Sequence, residues 1–497
     1  MAELGPLTGR LLLAVAVVTL LIAGRLLYNV FLHPLRSYPG PWYATSSILW
    51  FLYHMARGTH HEAVHALHLR YGAVVRIAPG ELSFVEPGAW RDIYGHGNKP
   101  EFIKDPSTTY SEDPEHANIL VAPVEKHAKL RRTLAHAFSD RSLHSQEAVM
   151  NEYAMLLVKG LGECGSEPVD IVRWYNYMTF DVIGHLAFAE SFDCLSTSAY
   201  HPWVSLIFST IRLMAWTRAL GRLAPALVPA LLRLVPSRRT MREYRANGAL
   251  TREKLARRRA RAPGYVDFAE QLLRSERAGA LREADLLSNL PLLVVAGSET
   301  TASALAGATY YLLSRPRAYA RLAAEVRARF AGHADVTLPR VAELTYLPAV
   351  IDETLRLYPP ANSNHPRLLP PRGATICGRF VPGGTLVGIG HWACFRSPLN
   401  FARPEEFIPE RFLGGDEDTA GEFANDRREA LQPFHVGPRN CIGRNLAQIE
   451  LRLVLIHLLL AYDLELQPES RGWKKQQVFA APLKPPLMVK LRPFRKS

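Results

Sequence analysis

Cys441 lies in the stretch FHVGPRNCIGRNLA, which runs from Phe434 to Ala447 and holds one of five cysteines among 497 residues. Two glycines and two arginines surround it: Gly437, Gly443, Arg439 and Arg444. Buried structural cysteines usually have apolar surroundings, whereas arginines and the start of a helix favour the thiolate. The stretch therefore predicts a cysteine whose sulfur takes part in chemistry.

Three kinds of chemistry could use this sulfur. Zinc requires several Cys or His ligands, and no suitable set lies near Cys441 in the sequence. A nucleophilic cysteine needs a histidine partner, which one sequence leaves open. A thiolate that holds haem iron needs only one protein sulfur. The residues of this stretch alone leave the nucleophile and the haem ligand as alternatives.

A second candidate site is the segment LLVVAGSETTASALAGATYYLL, from Leu292 to Leu313, which has the apolar pattern of a long buried helix. Its centre holds Gly, Ser, Glu and two Thr residues at 297–301, several of which are poor choices for a helix interior. A carboxylate beside a hydroxyl, here Glu299 and Thr300, can relay protons to a reacting oxygen. A polar stripe packed against a neighbouring helix explains the same residues. Pro291 predicts a kink in this helix or its true start.

A third motif, DETLRLYPP, puts Glu353 and Arg356 on one face of a helix. The segment FIPERFL adds Arg411, and the three side chains could form a buried, paired network. The alternative is a surface ion pair that contributes little to stability.

The elements that must position these residues are mainly helical. Apolar spacing predicts helices over most of 124–329 and a long helix directly after the cysteine stretch. Short strands are predicted within 73–85 and 373–390, a hairpin within 478–491, and irregular structure over 400–437. The fold class is therefore mainly α with small β-sheets, with one catalytic domain at 34–497.

The first 33 residues form a separate unit. Leu11 to Gly24 is uncharged and strongly apolar, and a helix from about residue 4 to 32 could span roughly 30 Å of hydrocarbon. Arg25 keeps open the alternative of an amphipathic helix on the membrane surface. We predict a transmembrane anchor at 1–33.

Charge and cysteine content exclude other classes of protein. The net charge of +13 is concentrated in the run from Ser237 to Pro263, but no nucleic-acid-binding motif accompanies it. A solvated helix facing a membrane explains this charge, so no nucleic acid partner is predicted. An odd number of cysteines without regular spacing predicts no disulfide framework, which fits a reducing compartment.

The pattern Phe434-x-x-Gly437-x-Arg439-x-Cys441-x-Gly443 resembles the haem-binding signature of the cytochrome P-450 superfamily. The AGxETT helix centre, the ExxR helix and the PERF segment occur in the order found in that family. The resemblance covers essentially the whole chain. The segments RIAPGELSFV and TFDVIGHLAFAESF look like the fungal, membrane-bound branch that often serves secondary metabolism, trichothecene-type hydroxylases among them.

The resemblance implies a role for each matching residue. Cys441 would be the axial thiolate of haem b, and Phe434 would shield the sulfur. Thr300, with Glu299, would deliver protons to dioxygen. The other implied cofactor contacts are the loop glycines Gly437 and Gly443, the propionate-binding Arg439, His127, Arg131 and Arg367, and Ala296 and Gly297, which would leave space for dioxygen. Glu353, Arg356 and Arg411 would be a structural network.

The implied function is that of a haem-thiolate monooxygenase, which inserts one oxygen atom from O₂ into a lipophilic small molecule. Its electrons would come from NADPH through an NADPH-cytochrome reductase, docked on Lys126, Lys129, Arg132 and Arg444. The implied location is the endoplasmic reticulum membrane, with the catalytic domain facing the cytosol. Oxidative coupling, dehydrogenation and rearrangement on the same haem fold are alternatives, as is a non-catalytic haem sensor or electron carrier.

Substrate contacts are expected from four places. They are the loop 102–121, the helix with Glu299, residues 361–365 and residues 479–483. The apolar segment 213–236 is expected to dip into the membrane and admit the substrate.

Overall fold

The computed structural model describes residues 6–97, 101–108, 115, 117–201, 221–222, 238–261, 267–362, 364–413, 421–479 and 481–495. Its α-helices, α1 to α18 in chain order, are Pro6–Leu27, Trp42–Ser46, Leu49–Arg57, His60–Tyr71, Gly88–Tyr94, Val124–Ala135, Asp140–Ser145, Glu147–Glu163, Ile171–Phe188, Cys194–Thr197, Arg238–Ala260, Phe268–Arg277, Glu283–Leu313, Pro316–Arg329, Leu338–Val341, Tyr346–Leu357, His391–Phe395 and Arg444–Ala461. The expected membrane-dipping segment 213–236 lies outside the described residues, apart from Gly221 and Arg222.

Three small sheets accompany the helices. Strands β1 to β10 are Val74–Ala78, Glu81–Phe84, Ile103–Lys104, Val169–Asp170, Arg367–Leu368, Ala374–Ile376, Arg379–Val381, Leu386–Ile389, Tyr462–Leu466 and Met488–Pro493. The sheet orders are β1-β2-β8-β5-β3, β4-β10-β9 and β6-β7. The mainly helical fold with small sheets is as the sequence predicted.

Strand prediction was right for the first hairpin and wrong for the last. β1 and β2 pair antiparallel within 73–85, as expected. Among the described residues of 478–491, only an isolated bridge joins Val478 and Pro482, and β10 pairs instead with β9 and β4. Pro482, Pro485 and Pro486 lack backbone donors, so this segment cannot form a regular ladder of its own.

Helix α13 is the central element of the larger hydrophobic core and packs against α9. It begins at Glu283, eight residues before Pro291, and continues through the proline. Asp285 accepts the backbone N–H of Arg282 (3.0 Å), and acids in the first turn suit the positive end of the helix dipole. Pro291 is therefore not the start of the helix.

Helix α1 lies outside both hydrophobic cores, which are the larger one around α13 and a smaller one that contains residues of β1 and β2. A 25-residue stretch from Thr8 to Leu32 is apolar and long enough to cross a membrane, and its residues from Thr8 to Tyr28 are exposed. Its far end is fixed to the domain, because Asn29 Nδ2 donates to Ser46 O (2.7 Å) and Arg76 Nη1 donates to Asn29 O (2.9 Å). In the part of the chain that the structure describes, the other stretch that passes the same test is α13, which is mostly buried in the core.

Residues 238–260 of the basic run form α11, and acidic partners balance much of the charge. Lys254 and Arg257 both pair with Glu190. Arg258 is 1% exposed and pairs with Asp267 (2.5 Å) and Glu270 (3.2 Å) on the next segment. These cations stabilise the packing of α11, so the expected wholly solvated helix is wrong for this part of the run.

Glu450, on the buried face of α18, gives a first prediction. Burial raises the pKa of its carboxyl well above the ordinary value of 4.5, and within the described residues its Oε2 has no hydrogen-bond partner. The folded protein holds it neutral while the unfolded chain ionises it, so its cost to stability grows as pH rises above that ordinary value. Glu450→Met should stabilise the protein by about 1–3 kcal/mol at pH 8 and by less at pH 5.

The thermal unfolding midpoints of haem-loaded wild type and Glu450→Met, compared at pH 5 and pH 8, test this gain in stability. The matched control is Glu469→Met, because Glu469 is exposed. A lower unfolding midpoint in Glu450→Met at pH 8 would contradict the prediction.

Candidate active site

Cys441 lies in a loop that ends three residues before α18 begins. Its backbone N–H donates to Phe434 O (2.8 Å), and Asn440 N–H donates to Gly437 O (3.1 Å), so the loop folds back on itself. Gly437 has a φ of +77°, and a Cβ there would stand 1.8 Å from Tyr94 O. Only glycine fits at this position, because the loop passes directly over the backbone of α5.

Gly443 is different, because the chain itself does not require glycine there. A Cβ at this position would make ordinary contacts, 3.8 Å from Phe138 and 4.0 Å from the Cys441 sulfur. Its missing side chain leaves open the space beside the sulfur. Such space is what the expected cofactor contact at Gly443 would require.

The sequence predicted surroundings that favour the thiolate of Cys441, but the pKa of this thiol is raised. Burial raises the pKa of the thiol, while the Gly443 N–H, Arg131 and Arg444 oppose that rise. The arginines thus act in the expected direction but do not by themselves make a thiolate. Because the residue is nevertheless exposed, its sulfur borders an interior space and is not sealed in the core. A metal cation would supply the missing stabilisation of the thiolate.

The centre of α13 also borders such a space. Ala296 is exposed and Thr300 partly so, in a helix whose following turns are buried. Thr300 Oγ1 donates to Ala296 O (2.7 Å) one turn earlier, so its hydroxyl is fixed to the helix with its lone pairs outward. Ser298 bonds back to Val294 O in the same way (2.6 Å).

Gly297 and Glu299 do not lie on that open face. A Cβ on Gly297 would stand 2.6 Å from Ile183 Cδ1, so this glycine permits the close packing of α13 on α9. The expectation that it leaves space for dioxygen is therefore wrong. Glu299 is 4% exposed, and it forms an ion pair with Lys484 that sequence reasoning did not find.

A buried cluster of basic groups lies around the loop and β5. Arg367 is 5% exposed and donates to His365 O (2.9 Å). Burial, Arg367 and Arg439 together lower the pKa of Lys104 to about 7. Burial, Arg439 and Lys104 lower the pKa of His127 to about 4. After burial, the positive charge of the arginines is thus the next cause that lowers the pKa of Lys104 and of His127.

One carboxylate opposes this cluster. Arg439 Nε donates to Glu101 Oε1 (2.5 Å) and Nη1 donates to Ala122 O (3.0 Å). Arg131 donates to the backbone and side-chain oxygens of Asn440, next to the cysteine. A group carrying two carboxylates would relieve the excess of positive charge. The donor set of one sulfur and buried cations therefore fits haem with its two propionates.

The Glu353 network is formed as predicted. Arg356 makes two hydrogen bonds to Glu353, from Nε to Oε2 (2.7 Å) and from Nη2 to Oε1 (2.8 Å). Arg411 Nε adds a third to Oε1 (3.2 Å), and these three side chains are at most 1% exposed. Arg411 also pairs with Asp426 (2.5 Å), a member the sequence motif did not indicate.

The proposed docking residues divide into two groups. Lys126 forms an ion pair with Asp285 (2.6 Å), so its charge is already balanced within the chain. Lys129, Arg132 and Arg444 are exposed.

The expected substrate segments are only partly described. Phe102 is buried and Phe479 half-buried. The expected contacts at 109–114, 116, 363 and 480 lie outside the described residues.

Comparisons with known proteins agree with this geometry. The family model for cytochrome P-450 matches residues 37–491. The chain is 44% identical over 470 residues to cytochrome P-450 monooxygenase astA of Talaromyces wortmannii, covering 94% of each chain. It is 42% identical over 499 residues to the monooxygenase tpeC of Talaromyces stipitatus, covering 98% of this chain and 95% of that protein. It is 41% identical over 476 residues to trichothecene C-15 hydroxylase of Fusarium sporotrichioides, covering 94% of each.

Proposed function

The chain belongs to the cytochrome P-450 family, and we propose that Cys441 is the residue that holds its haem iron. As a member of this family it is a haem-thiolate monooxygenase of fungal secondary metabolism, which uses haem iron, O₂ and electrons from a reductase. The observation that carries the assignment of Cys441 is that it is an exposed residue in a loop, 434–443, whose other residues are partly covered. The other four cysteines lie outside the signature.

The chain's own residues then have distinct tasks. When bound, the haem supplies the iron at which O₂ is activated, and its thiolate ligand favours O–O cleavage. Arg131, Arg367, Arg439 and His127 hold the propionates, together with Lys104, by charge-assisted hydrogen bonds. Phe434 would shield the sulfur, and the Gly443 N–H donates toward it.

Thr300 serves the oxygen side. Its hydroxyl proton is engaged by Ala296 O, so its oxygen accepts a hydrogen bond from water in the interior space. We infer that this water brings the protons needed when O₂ is reduced. Ala296 leaves the room for it.

We propose the following arrangement in the cell. Residues 1–33 anchor the protein in the endoplasmic reticulum membrane, and 34–497 form the catalytic domain on the cytosolic side. The exposed apolar surface from Thr8 to Leu32 supports this placement. The electron donor is an NADPH-cytochrome reductase, steered by the exposed cations Lys129, Arg132 and Arg444.

For the substrate we propose a lipophilic fungal secondary metabolite, and for the reaction hydroxylation or epoxidation. One relative's name states a hydroxylation at C-15 of a trichothecene, and the intact Thr300 hydroxyl favours oxygen insertion over coupling or rearrangement. Comparing metabolites from a host with and without this gene identifies the substrate. Isotopically labelled O₂ then tests insertion, because label in the product is expected, and its absence would favour coupling or dehydrogenation.

Thr300→Ala should lower the product formed per NADPH consumed by roughly tenfold or more, because the water that brings protons loses its holder. Microsomes containing the protein and a reductase allow NADPH, O₂ and product to be measured together. Thr300→Ser keeps a hydroxyl and is the matched control, which should stay near wild type. Full coupling in Thr300→Ala would overturn the role of this residue.

A further inference from the structure

Asn289 is a fully buried polar residue of α13 whose side chain reaches a distant part of the chain. Its Oδ1 accepts the backbone N–H of Ile119 (2.9 Å), 170 residues away. Its Nδ2 donates to Asp285 O (2.7 Å), one turn earlier on the same helix. Both ends of the amide are thus satisfied, as a buried amide requires, and the Nδ2 bond leaves the oxygen for residue 119.

The segment 118–122, which receives this bond, lies outside the helices and strands and forms a turn. Asn118 Oδ1 accepts the N–H of Leu120 (3.1 Å), so the asparagine side chain closes the turn locally. The N–H of Ile119 instead points out of the turn. A backbone N–H needs an acceptor when it is removed from water, and Asn289 supplies it.

Two basic side chains hold the same segment from other elements. Lys104, on β3, donates from Nζ to Leu120 O. Arg439, in the cysteine loop, donates from Nη1 to Ala122 O (3.0 Å). Both cations belong to the group that we assign to the haem propionates. The segment 118–122 is therefore fixed relative to α13 and to the proposed haem contacts at once.

Asn289 also lies on the same stripe of α13 as the open face. Ala296 and Thr300 follow it by seven and eleven residues, spacings that return to one side of a helix. The stripe is covered at Asn289, but Ala296 is exposed. At 1.5 Å per residue, the covered position lies about 10 Å before Ala296 along the helix. The segment 118–122 thus closes one end of the open face.

We propose that Asn289 is a positioning residue for the substrate: it fixes the segment 118–122 as the wall that the far end of a lipophilic ligand contacts. Without Asn289, the N–H of Ile119 loses its acceptor and the wall is no longer held at one place. This inference rests on the proposed function, because the open face lies on the oxygen side of the haem only if Cys441 holds the iron. It adds the residue that sets the length of the pocket along α13.

A role in stability alone would be largely redundant. Lys126 and Asp285 already form an ion pair (2.6 Å) that ties α6 to α13 one turn before Asn289. Loss of the Asn289 side chain should therefore loosen the segment 118–122 more than it loosens the fold as a whole.

Hydrogen exchange of the haem-loaded protein tests this clamp without turnover. Asn289→Leu keeps the size of the side chain but removes its acceptor, so the backbone amides of 118–122 should exchange several-fold faster than in wild type. The matched control is Asn151→Leu. Asn151 also joins segments through its side chain, to His457 Nε2 (2.9 Å) and Val336 O (3.4 Å). Equal exchange of 118–122 in the two variants would overturn the clamp.

Two ligands of the haem iron test the wall. Imidazole binds a metal through one ring nitrogen and fills little more of the pocket, whereas 1-decylimidazole adds an apolar chain long enough to reach the segment. Both are titrated by the shift of the Soret band. Asn289→Leu should weaken the binding of 1-decylimidazole by roughly tenfold, because part of the chain loses its apolar contact, and should leave the binding of imidazole unchanged. Asn151→Leu should bind both ligands like wild type.

The outcomes keep the inference and the proposed function apart. If wild type shows no Soret shift with either ligand, the proposed haem site itself is wrong. If wild type binds both, and Asn289→Leu binds 1-decylimidazole as tightly as wild type or more tightly, only the role of Asn289 is wrong. Faster exchange of 118–122 together with a selective loss of 1-decylimidazole binding supports the inference.

Discussion

Cys441→Ser should abolish the thiolate-type spectrum of the reduced, CO-bound protein and lower oxygenase activity by roughly three orders of magnitude or more. Among the five cysteines, Cys441 is the exposed one, and it alone lies in the loop before α18. Serine keeps the backbone hydrogen bond to Phe434 O, so the loop should retain its shape. What is lost is the soft, ionisable sulfur that pushes electron density toward the iron.

The control for this variant is Cys164→Ser. Cys164 follows the end of α8 and its Sγ donates weakly to Gly160 O (3.5 Å), a bond that a serine hydroxyl can replace. Its spectrum and activity should match wild type. Retention of the thiolate-type spectrum by Cys441→Ser would show that another group holds the iron.

The sequence was sufficient where the chemistry is local. The cysteine loop and the Glu353–Arg356 pair each depend on residues within one turn or one helix, and spacing alone brings them together. Arg411 is 58 residues from Glu353, so spacing could offer it only as a possible member of the network, and the family resemblance then supported that choice. The resemblance thus carried the part of the site that short-range spacing could not.

The main errors concerned the direction in which a residue points from its helix. Gly297 and Ala296 are adjacent in a polar helix centre, and the sequence offered no means to decide which of them faces the interior space. Ile183, more than a hundred residues away, fills the space beside Gly297. The ion pair of Lys126 was missed for a similar reason, because its partner Asp285 lies 159 residues further on.

Two basic residues of the candidate site had no sequence signal at all. Lys104 stands in a two-residue strand, and Lys484 stands between prolines in an irregular segment. Each is significant only through partners that tertiary packing supplies, Arg367 and Arg439 for the first and Glu299 for the second. A buried lysine is costly without such a partner. Knowledge of their burial would therefore have identified these two lysines, but the sequence does not give it.

Arg356→Met should destabilise the protein by about 3–5 kcal/mol and sharply reduce the yield of haem-loaded protein, because it removes one partner of a buried ion pair. The arginine does more than pair with Glu353. It donates to the carbonyl oxygens of Phe395 (2.9 Å), Pro404 (2.6 Å) and Glu406 (2.9 Å), in the segments that precede the cysteine loop. Its loss leaves these carbonyls and part of the Glu353 carboxylate unsatisfied in the core.

The chain contains its own control for this change. Arg403 and Glu406 form an ion pair of the same three-residue spacing, but about half of each side chain is exposed. Arg403→Met should leave the thermal unfolding midpoint and the haem content near those of wild type, since exposed pairs contribute little. Arg356→Lys should recover little, because an ammonium cannot reproduce the planar fork that reaches Glu353 and three carbonyl groups together. Equal midpoints for Arg356→Met and Arg403→Met would mean that the buried network is not what holds these segments in place.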